Sequence, residues 1–258
     1  MKNYTKIISK LGAKYLAANK IHLNLKKPVI TFTFDDIPFS AVSTGVAILD
    51  NFGIKGTLYI AADLLGKKDD SFQYATRSQI QALAENGHEI ASHTYSHIRI
   101  NTISVKELIR EIHANNNFLM ELTGKNKINH FSYPFGEVSF SAKLYLTKQF
   151  LTARSSRPGI NTGIVDLSFL KAIPLYQPQV NKDIIQQHIA EAIDRRGWLI
   201  FYTHDVKTHP TKWGISSQLF EFSVQTAHRS NALILNMEQA YGSIRQTDTE
   251  PAQNRLIS

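Results

Sequence analysis

The chain has 258 residues, 43% of them hydrophobic, and its 29 Lys and Arg against 21 Asp and Glu give a formal charge of +8. That length and apolar content suit one domain with a large core, and the basic excess admits anionic partners without identifying one. The absence of cysteine excludes disulfides, thiolate nucleophiles and cysteine-type zinc sites, leaving His, Asp and Glu as candidate metal ligands. No basic run interleaved with aromatics occurs outside the amino-terminal segment, so nucleic acid is not an expected partner. No segment reads as a transmembrane span or a secretory apolar core, and a soluble, cytoplasmic protein is expected.

Residues 4–19 carry Tyr4, Ile7, Ile8, Leu11, Tyr15 and Leu16 at helical spacing, with Lys2, Lys6, Lys10 and Lys14 striped on the opposite side. The pattern predicts an amphipathic helix packed as a lid across the bottom of a barrel, its lysines open to weak, salt-sensitive contact with an anionic membrane. After Lys26-Lys27-Pro28, Val29 to Phe34 reads as a buried strand, and Pro38 opens a helical stretch through Leu49 that Gly53 closes. Residues 55–60 read as a second strand, Thr76 caps a helix from Arg77 to Asn86 stopped by Gly87, and 88–91 form a short third strand. A long helix follows from Ser104 to Gly124, carried by Leu108, Ile109, Ile112, Phe118, Leu119 and Leu122. A strand at 130–133, a helix from Ser139 and a strand near 150–153 continue the alternation. Residues 155–166 read as a polar loop around Pro158-Gly159, and 169–175 as a further apolar segment. A helix over 183–196 precedes the strand Trp198 to Tyr202, and a last helix, a strand at 232–235 and a polar tail finish the chain.

Strand-helix alternation with short connections predicts a parallel sheet closed into a barrel-like ring. His93 and His97, four residues apart after the third strand, would share one face in a helical turn and could grip one ion from the same side. Asp35-Asp36 ends the first strand, where adjacent carboxylates are costly to bury without a cation, although a turn or helix cap is the ordinary use of such a pair. Asp35, Asp36, His93, His97, Tyr133 and His204 all follow strands, so a barrel would gather them at the face where its active sites form.

At these residues the sequence resembles the polysaccharide deacetylases with the NodB homology domain, carbohydrate esterase family 4, over about residues 28–240. The motifs are Thr33-Phe34-Asp35-Asp36 and His93-Thr94-Tyr95-Ser96-His97, supported in the same order by Gly56-Thr57-Leu58-Tyr59-Ile60, Gly87-His88-Glu89-Ile90 and Tyr202-Thr203-His204-Asp205. The resemblance implies an α/β fold, a distorted (β/α) barrel of seven strands as the catalytic domain at 28–240. An added helix and lead-in occupy 1–27 and a polar tail 241–258. It also implies one divalent ion, zinc as a rule, held by Asp36, His93 and His97 with open positions for water and the acetyl carbonyl oxygen.

By the same match Asp35 is the general base and His204 the general acid that protonates the leaving amine. The third motif departs from the family pattern: Ser132 stands where arginine is normal, in Phe131-Ser132-Tyr133-Pro134-Phe135-Gly136. Oxyanion stabilisation by the amide after the proline, at Phe135, needs no particular side chain, and Tyr133 and Pro134 belong to the same oxyanion and substrate-binding segment. What is put in doubt is the orienting of the base. Arg154, ending the next strand, could deliver a guanidinium to Asp35, or face solvent or a substrate anion. The fourth motif has no clean counterpart, and Asp166 and Asp205 are candidate partners for His204.

The expected activity is metal-dependent removal of acetyl groups from an N-acetylated carbohydrate by activated water, without a covalent intermediate. A cytoplasmic enzyme, peripheral at the inner membrane, would act on an intracellular surface-polysaccharide precursor. Hydrolysis of a small amide or ureide is the alternative within the same fold. A silent glycan-binding module is a third reading, motivated by Ser132 and opposed by the retained aspartates and histidines.

Overall fold

The computed structural model describes residues 9 and 11–249. Its strands are β1 (Lys20–Leu23), β2 (Val29–Asp35), β3 (Thr57–Ile60), β4 (Glu89–Ser92), β5 (His130–Ser132), β6 (Thr152–Arg154), β7 (Gly163–Asp166), β8 (Ile173–Pro174), β9 (Trp198–Thr203) and β10 (Leu233–Ile234). Its helices are α1 (Ala47–Asn51), α2 (Arg77–Glu85), α3 (Val105–Thr123), α4 (Phe140–Gln149), α5 (Lys182–Asp194), α6 (Ser217–His228) and α7 (Met237–Thr249). Capping boxes at Thr76 and Ser104 start α2 and α3, and Gly124, at φ 68, ends α3 in the left-handed conformation that glycine adopts without a Cβ penalty.

Seven strands run parallel in the order β6-β5-β4-β3-β2-β9-β8, and β10 joins β2 beside Val29 and Ile30. The ring closes through the single stretch from Leu167 to Pro174. Its first half bonds to β6, with the Ala153 amide donating to the Leu167 carbonyl at 2.7 Å and the Leu170 amide to the Ala153 carbonyl at 2.9 Å. Its second half is β8, in register with Phe201 and Tyr202 of β9. The expected seven-stranded distorted barrel is therefore what the chain forms.

Side chains alternate across each strand, which divides the core in two. Ile30, Phe32, Phe34, Leu58, Ile60, Ile90, Phe131, Leu199 and Phe201 face outward into the layer beneath the helices. Val29, Tyr59, Ala91, Trp198, Ile200 and Tyr202 face inward and meet Met237, Ala240 and Ile244 of α7. At the amino-terminal end of the strands, buried Glu89 accepts from the Thr57 hydroxyl at 2.8 Å and from the Glu238 amide at 3.0 Å, so it caps the start of α7.

Three parts of the sequence reading change. Residues 163–166 are not loop but β7, paired antiparallel with β1, so an exposed-buried alternation too short to stand alone is completed by its partner. Residues 241–249 are not tail: α7 runs through the boundary expected at 240 and buries Ile244. The barrel's amino-terminal end is covered by this helix, whereas helical residues 11–15 pack on the flank against α4 and β7. There Ala13 is buried but Leu11, Tyr15 and Leu16 are exposed, so this part of the apolar stripe does not face the barrel. Tyr4, Ile7, Ile8 and the lysines at 2, 6 and 10 lie outside the described residues.

The amino-terminal segment is tied down by one buried cation. Lys143 donates to the carbonyls of Ala13 at 2.8 Å and Leu16 at 2.9 Å, and pairs with Asp166 at 2.6 Å. The Asp166 carboxylate in turn accepts from the Ala18 and Asn19 amides. Lys143→Met would strip the carboxylate of its ammonium and orphan both carbonyls, a loss of roughly 3 kcal/mol or more. Urea unfolding of the variant should read that loss, and an unchanged midpoint would remove the ion pair from the account of stability.

Candidate active site

Inward parity carries Asp35, Ser132, Arg154 and Tyr202 to the carboxyl end of the barrel, one from each of four strands. Strict alternation would send Asp36 to the outer face. Instead the chain leaves β2 through a tight elbow in which Asp36 and Ile37 both take positive φ, 60° and 56°, and the Ile37 amide donates to the Asp35 carbonyl at 2.6 Å. This conformation is disfavoured for residues with a Cβ and most of all for a β-branched one. It is fixed by bonds from the Ala75 amide to the Ile37 carbonyl and from the Phe39 amide to the Gln73 carbonyl. The consequence is that both carboxylates are buried over one mouth, at 5% and 6% exposure.

His93 and His97 do meet Asp36, but not from a helical turn. They sit on a loop whose Thr94 and His97 are left-handed, at φ 61° and 52°. Glu111 of α3 holds the loop by accepting the amides of Tyr95 at 3.0 Å and Ser96 at 2.8 Å, and the Ile98 amide donates to the Thr94 hydroxyl at 3.2 Å. The Nε2 atoms of His93 and His97 stand 3.5 and 3.2 Å from Asp36 Oδ1, and the three ligand atoms lie within 4.8 Å of one another. His93 Nδ1 meets the Ser132 carbonyl at 2.9 Å and the Ser132 hydroxyl at 2.6 Å, so Nδ1 carries the donated hydrogen and Nε2 keeps its lone pair toward Asp36.

This donor set fits a divalent cation. Asp36 Oδ1 is buried without a hydrogen-bond partner. Burial lifts the Asp36 carboxyl to about 6, with His204 opposing and the Asp35 charge adding to the rise. Burial likewise lowers His93 to about 3 and His97 to about 4, which leaves both rings neutral with lone pairs to offer. An anionic oxygen left unpaired between neutral imidazoles is what a cation completes. A second group, Glu89, His130 and Glu238, has comparable spacing, but Glu89 Oε2 is already committed to Thr57 and the start of α7, and Glu238 accepts from Asn129.

Arg154 reaches Asp35 with one guanidinium nitrogen on both carboxylate oxygens, and its Cζ lies 5.1 Å from the Tyr59 ring and 4.6 Å from the Tyr202 ring. Burial alone would raise the Asp35 carboxyl. The charge and hydrogen bonds of Arg154 are the main opposing influence, and the net displacement is downward. Of the destinations open to Arg154 in the sequence, the carboxylate is the one it occupies.

His204 Nε2 stands 3.6 Å from Asp36 Oδ2, with its Nδ1 3.4 Å from the Tyr176 hydroxyl and its ring stacked on Phe72 at 6.2 Å. Neither candidate aspartate partners it. Asp205 accepts from the Thr211 amide and hydroxyl and pairs with Lys207, while Asp166 is held by Lys143. Tyr133 also leaves the list of substrate contacts. Its outward parity buries the ring between Phe131 and Phe169 and sends its hydroxyl to the Ser168 carbonyl. Pro134 is buried and starts a 3-10 turn, and Phe135 follows at φ 58° with its ring 4.4 Å from His97.

The sequence reading missed Glu111, Asn115, Phe72 and Tyr176. Asn115 carried a usable signal: it falls in the apolar stripe of Leu108, Ile112, Leu119 and Leu122, where a polar residue needs partners. It has them in the Ala62 amide, the Ile60 carbonyl and the Ser92 hydroxyl, and so ties together the ends of β3 and β4.

The family profile described as polysaccharide deacetylase matches residues 22–152, just over half of the sequence. This chain belongs to the polysaccharide deacetylase family. Among curated proteins it is similar to "Probable peptidoglycan-N-acetylglucosamine deacetylase" of Arthroderma benhamiae, 28% identical over 109 residues, covering 42% of this chain and 24% of that protein. It is also similar to chitin disaccharide deacetylase of Vibrio alginolyticus, 26% identical over 133 residues, covering 51% of this chain and 30% of that protein. The matches thus span less than a third of either relative's length. Among solved structures, the Xyl-CE4 domain of a multidomain xylanase from the hindgut metagenome of Trinervitermes trinervoides has a TM-score of 0.58 at 18% identity, over 88% of this chain and 94% of that one, a likeness of fold.

Arg154→Met would leave Asp35 a buried carboxylate without its guanidinium, and pairs broken from one side cost roughly 3–5 kcal/mol. Adding Asp35→Asn should restore part of that loss, because the isolated charge goes with it. Chemical denaturation of both variants tests the pair, and equal stability of the wild type and Arg154→Met would refute the coupling.

Proposed function

We propose that this chain is a metal-dependent hydrolase that removes acetyl groups from an N-acetylated carbohydrate. One observation carries the reading: the unpaired, buried Oδ1 of Asp36 faces two imidazole nitrogens, beside a second carboxylate that has its own arginine. A divalent ion held by Asp36, His93 and His97, zinc being well suited to two imidazoles and a carboxylate, would supply Lewis acidity toward water and the acetyl carbonyl.

The remaining work falls to side chains and backbone of this chain. Asp35, kept anionic and in one orientation by Arg154, accepts a proton from the attacking water. The backbone amide of Phe135 is assigned to the oxyanion, a role that tolerates any side chain. His204 gives a proton to the nitrogen as the carbon–nitrogen bond breaks, so the water oxygen leaves in acetate and the sugar leaves as its amine. A carbohydrate is favoured over a small amide by the aromatic groups at this mouth. Trp213 and Phe135 are 43% and 49% exposed, and Trp213 packs edge-on against Tyr176 beside His204. Such flat, half-exposed rings suit the apolar face of a sugar.

Metal analysis paired with acetate release from a panel of N-acetylated and O-acetylated sugars tests the proposal. The wild type should hold about one divalent ion and release acetate, and His93→Ala should lose the ion while keeping the fold. Full metal content in His93→Ala would reject the ligand set.

Asp35→Asn should keep the ion and lose about 10²–10⁴-fold in turnover, since an amide oxygen does not take the proton of water. Turnover within a few-fold of the wild type would exclude Asp35 as the base. His204→Ala should depress hydrolysis of the amide far more than that of an activated ester, whose leaving group needs no proton. Equal losses on both substrates would remove His204 from the acid role.

A further inference from the structure

The flank where residues 11–15 lie against the β1–β7 ribbon combines two features not used by the chemistry at the barrel mouth. The first is apolar exposure. Leu11, Tyr15 and Leu16 are 50%, 64% and 56% exposed, and Ile164 of β7, at 73%, has the highest value among the exposed large hydrophobics of the described residues. The pairing explains why Ile164 stands out. It lies opposite His22 in the ribbon, and both point away from the face that buries Leu23 and Val165.

The second feature is a ring of cations around the same spot. Lys14, Lys20, Arg157 and Lys171 line one shallow cavity of about 190 Å³ together with Tyr15 and Ile164. The one carboxylate lining it, Asp166, is already taken by Lys143 and the Ala18 and Asn19 amides. Arg157 stands 5.9 Å from the Tyr15 ring. Burial, and then the charges of Arg157 and Arg195, hold the Lys171 ammonium below its ordinary value, against the opposing charge of Glu191, which is itself paired with Arg195.

We infer that this flank is a docking surface for a bilayer containing anionic phospholipid. Exposed Leu and Ile with an aromatic ring, bordered by lysine and arginine, meet both parts of such an interface: the apolar groups enter the acyl boundary and the cations pair with lipid phosphates. A neutral bilayer satisfies only the first, and a soluble polyanion only the second. The lid reading of the sequence predicted contact through lysines alone, weak and readily reversed by salt. With Tyr15 and Ile164 exposed beside these cations, part of the binding should survive salt.

The test is co-sedimentation of the full chain with phosphatidylcholine vesicles and with vesicles that also contain phosphatidylglycerol, at low and high salt and without substrate. The wild type should partition to the anionic vesicles and weakly to the neutral ones. The double variant Lys14→Glu, Lys171→Glu should lose at least about tenfold in partitioning. The double variant Tyr15→Ser, Ile164→Ser should retain binding only at low salt. Thermal unfolding of both variants checks that they are folded, and because no substrate is present the outcome is independent of the hydrolytic proposal. Equal binding to the two vesicle types, or no effect of charge reversal in a folded variant, would overturn the inference. So would concentration-dependent self-association that Ile164→Ser abolishes, which would assign the face to a second copy of the chain.

Discussion

Asp35 and Asp36 are consecutive residues held on the same side of a barrel mouth at 5% and 6% exposure. Two carboxylates so placed repel each other and lose their hydration, a penalty of several kcal/mol per ion unless each finds compensation of its own. The two are compensated differently. Asp35 has the guanidinium of Arg154 across both oxygens, whereas Asp36 has imidazoles at 3.5, 3.2 and 3.6 Å, two of which burial keeps neutral. The asymmetry opposes exchange of roles. A carboxylate saturated by arginine is a poor ligand for a cation, and one left bare between imidazoles is a good one.

The surrounding fold serves to hold that pair in place. Parallel strands alone present alternate side chains, so the left-handed elbow at Asp36 and Ile37 is what converts neighbours in sequence into neighbours in the site. The histidine loop carries the same kind of strain at Thr94 and His97, and α3 restrains it from behind through Glu111. One helical turn further on, Asn115 fixes the ends of β3 and β4. Strain in both loops is therefore opposed by hydrogen bonds from elements with large buried faces, which keeps Asp36, His93 and His97 in position.

The sequence makes the barrel legible because its strands are short, buried and bounded by good helix signals: Thr76 and Ser104 cap, Gly124 stops, and Val29 to Phe34 is β-branched or aromatic throughout. It makes the two aspartates and the two histidines legible through their motifs. It does not reveal the backbone that presents them, since left-handed threonine, histidine and isoleucine run against local preference and are imposed by tertiary bonds. Nor does it reveal β7, whose four residues become a strand only when Lys20–Leu23 pairs with them. Tyr133 misleads for a related reason: adjacency to a motif says nothing about parity, and parity sends its ring into the outer core.

Parity and register also account for the departure in the third motif. Ser132 of β5 and Arg154 of β6 are direct register partners, and both face inward. A guanidinium on β6 therefore starts one strand spacing, roughly 4.8 Å, from where the family's arginine would begin. An arginine side chain is long enough to absorb that displacement, and its guanidinium rests against the rings of Tyr59 and Tyr202. The β5 position itself carries no charge, and Arg154 is the cation that meets Asp35. The serine there places a hydroxyl at 2.6 Å and a carbonyl at 2.9 Å from His93 Nδ1, which fixes the tautomer whose Nε2 lone pair faces Asp36. The guanidinium that meets Asp35 comes from β6, and Ser132 on the neighbouring strand orients the His93 ring.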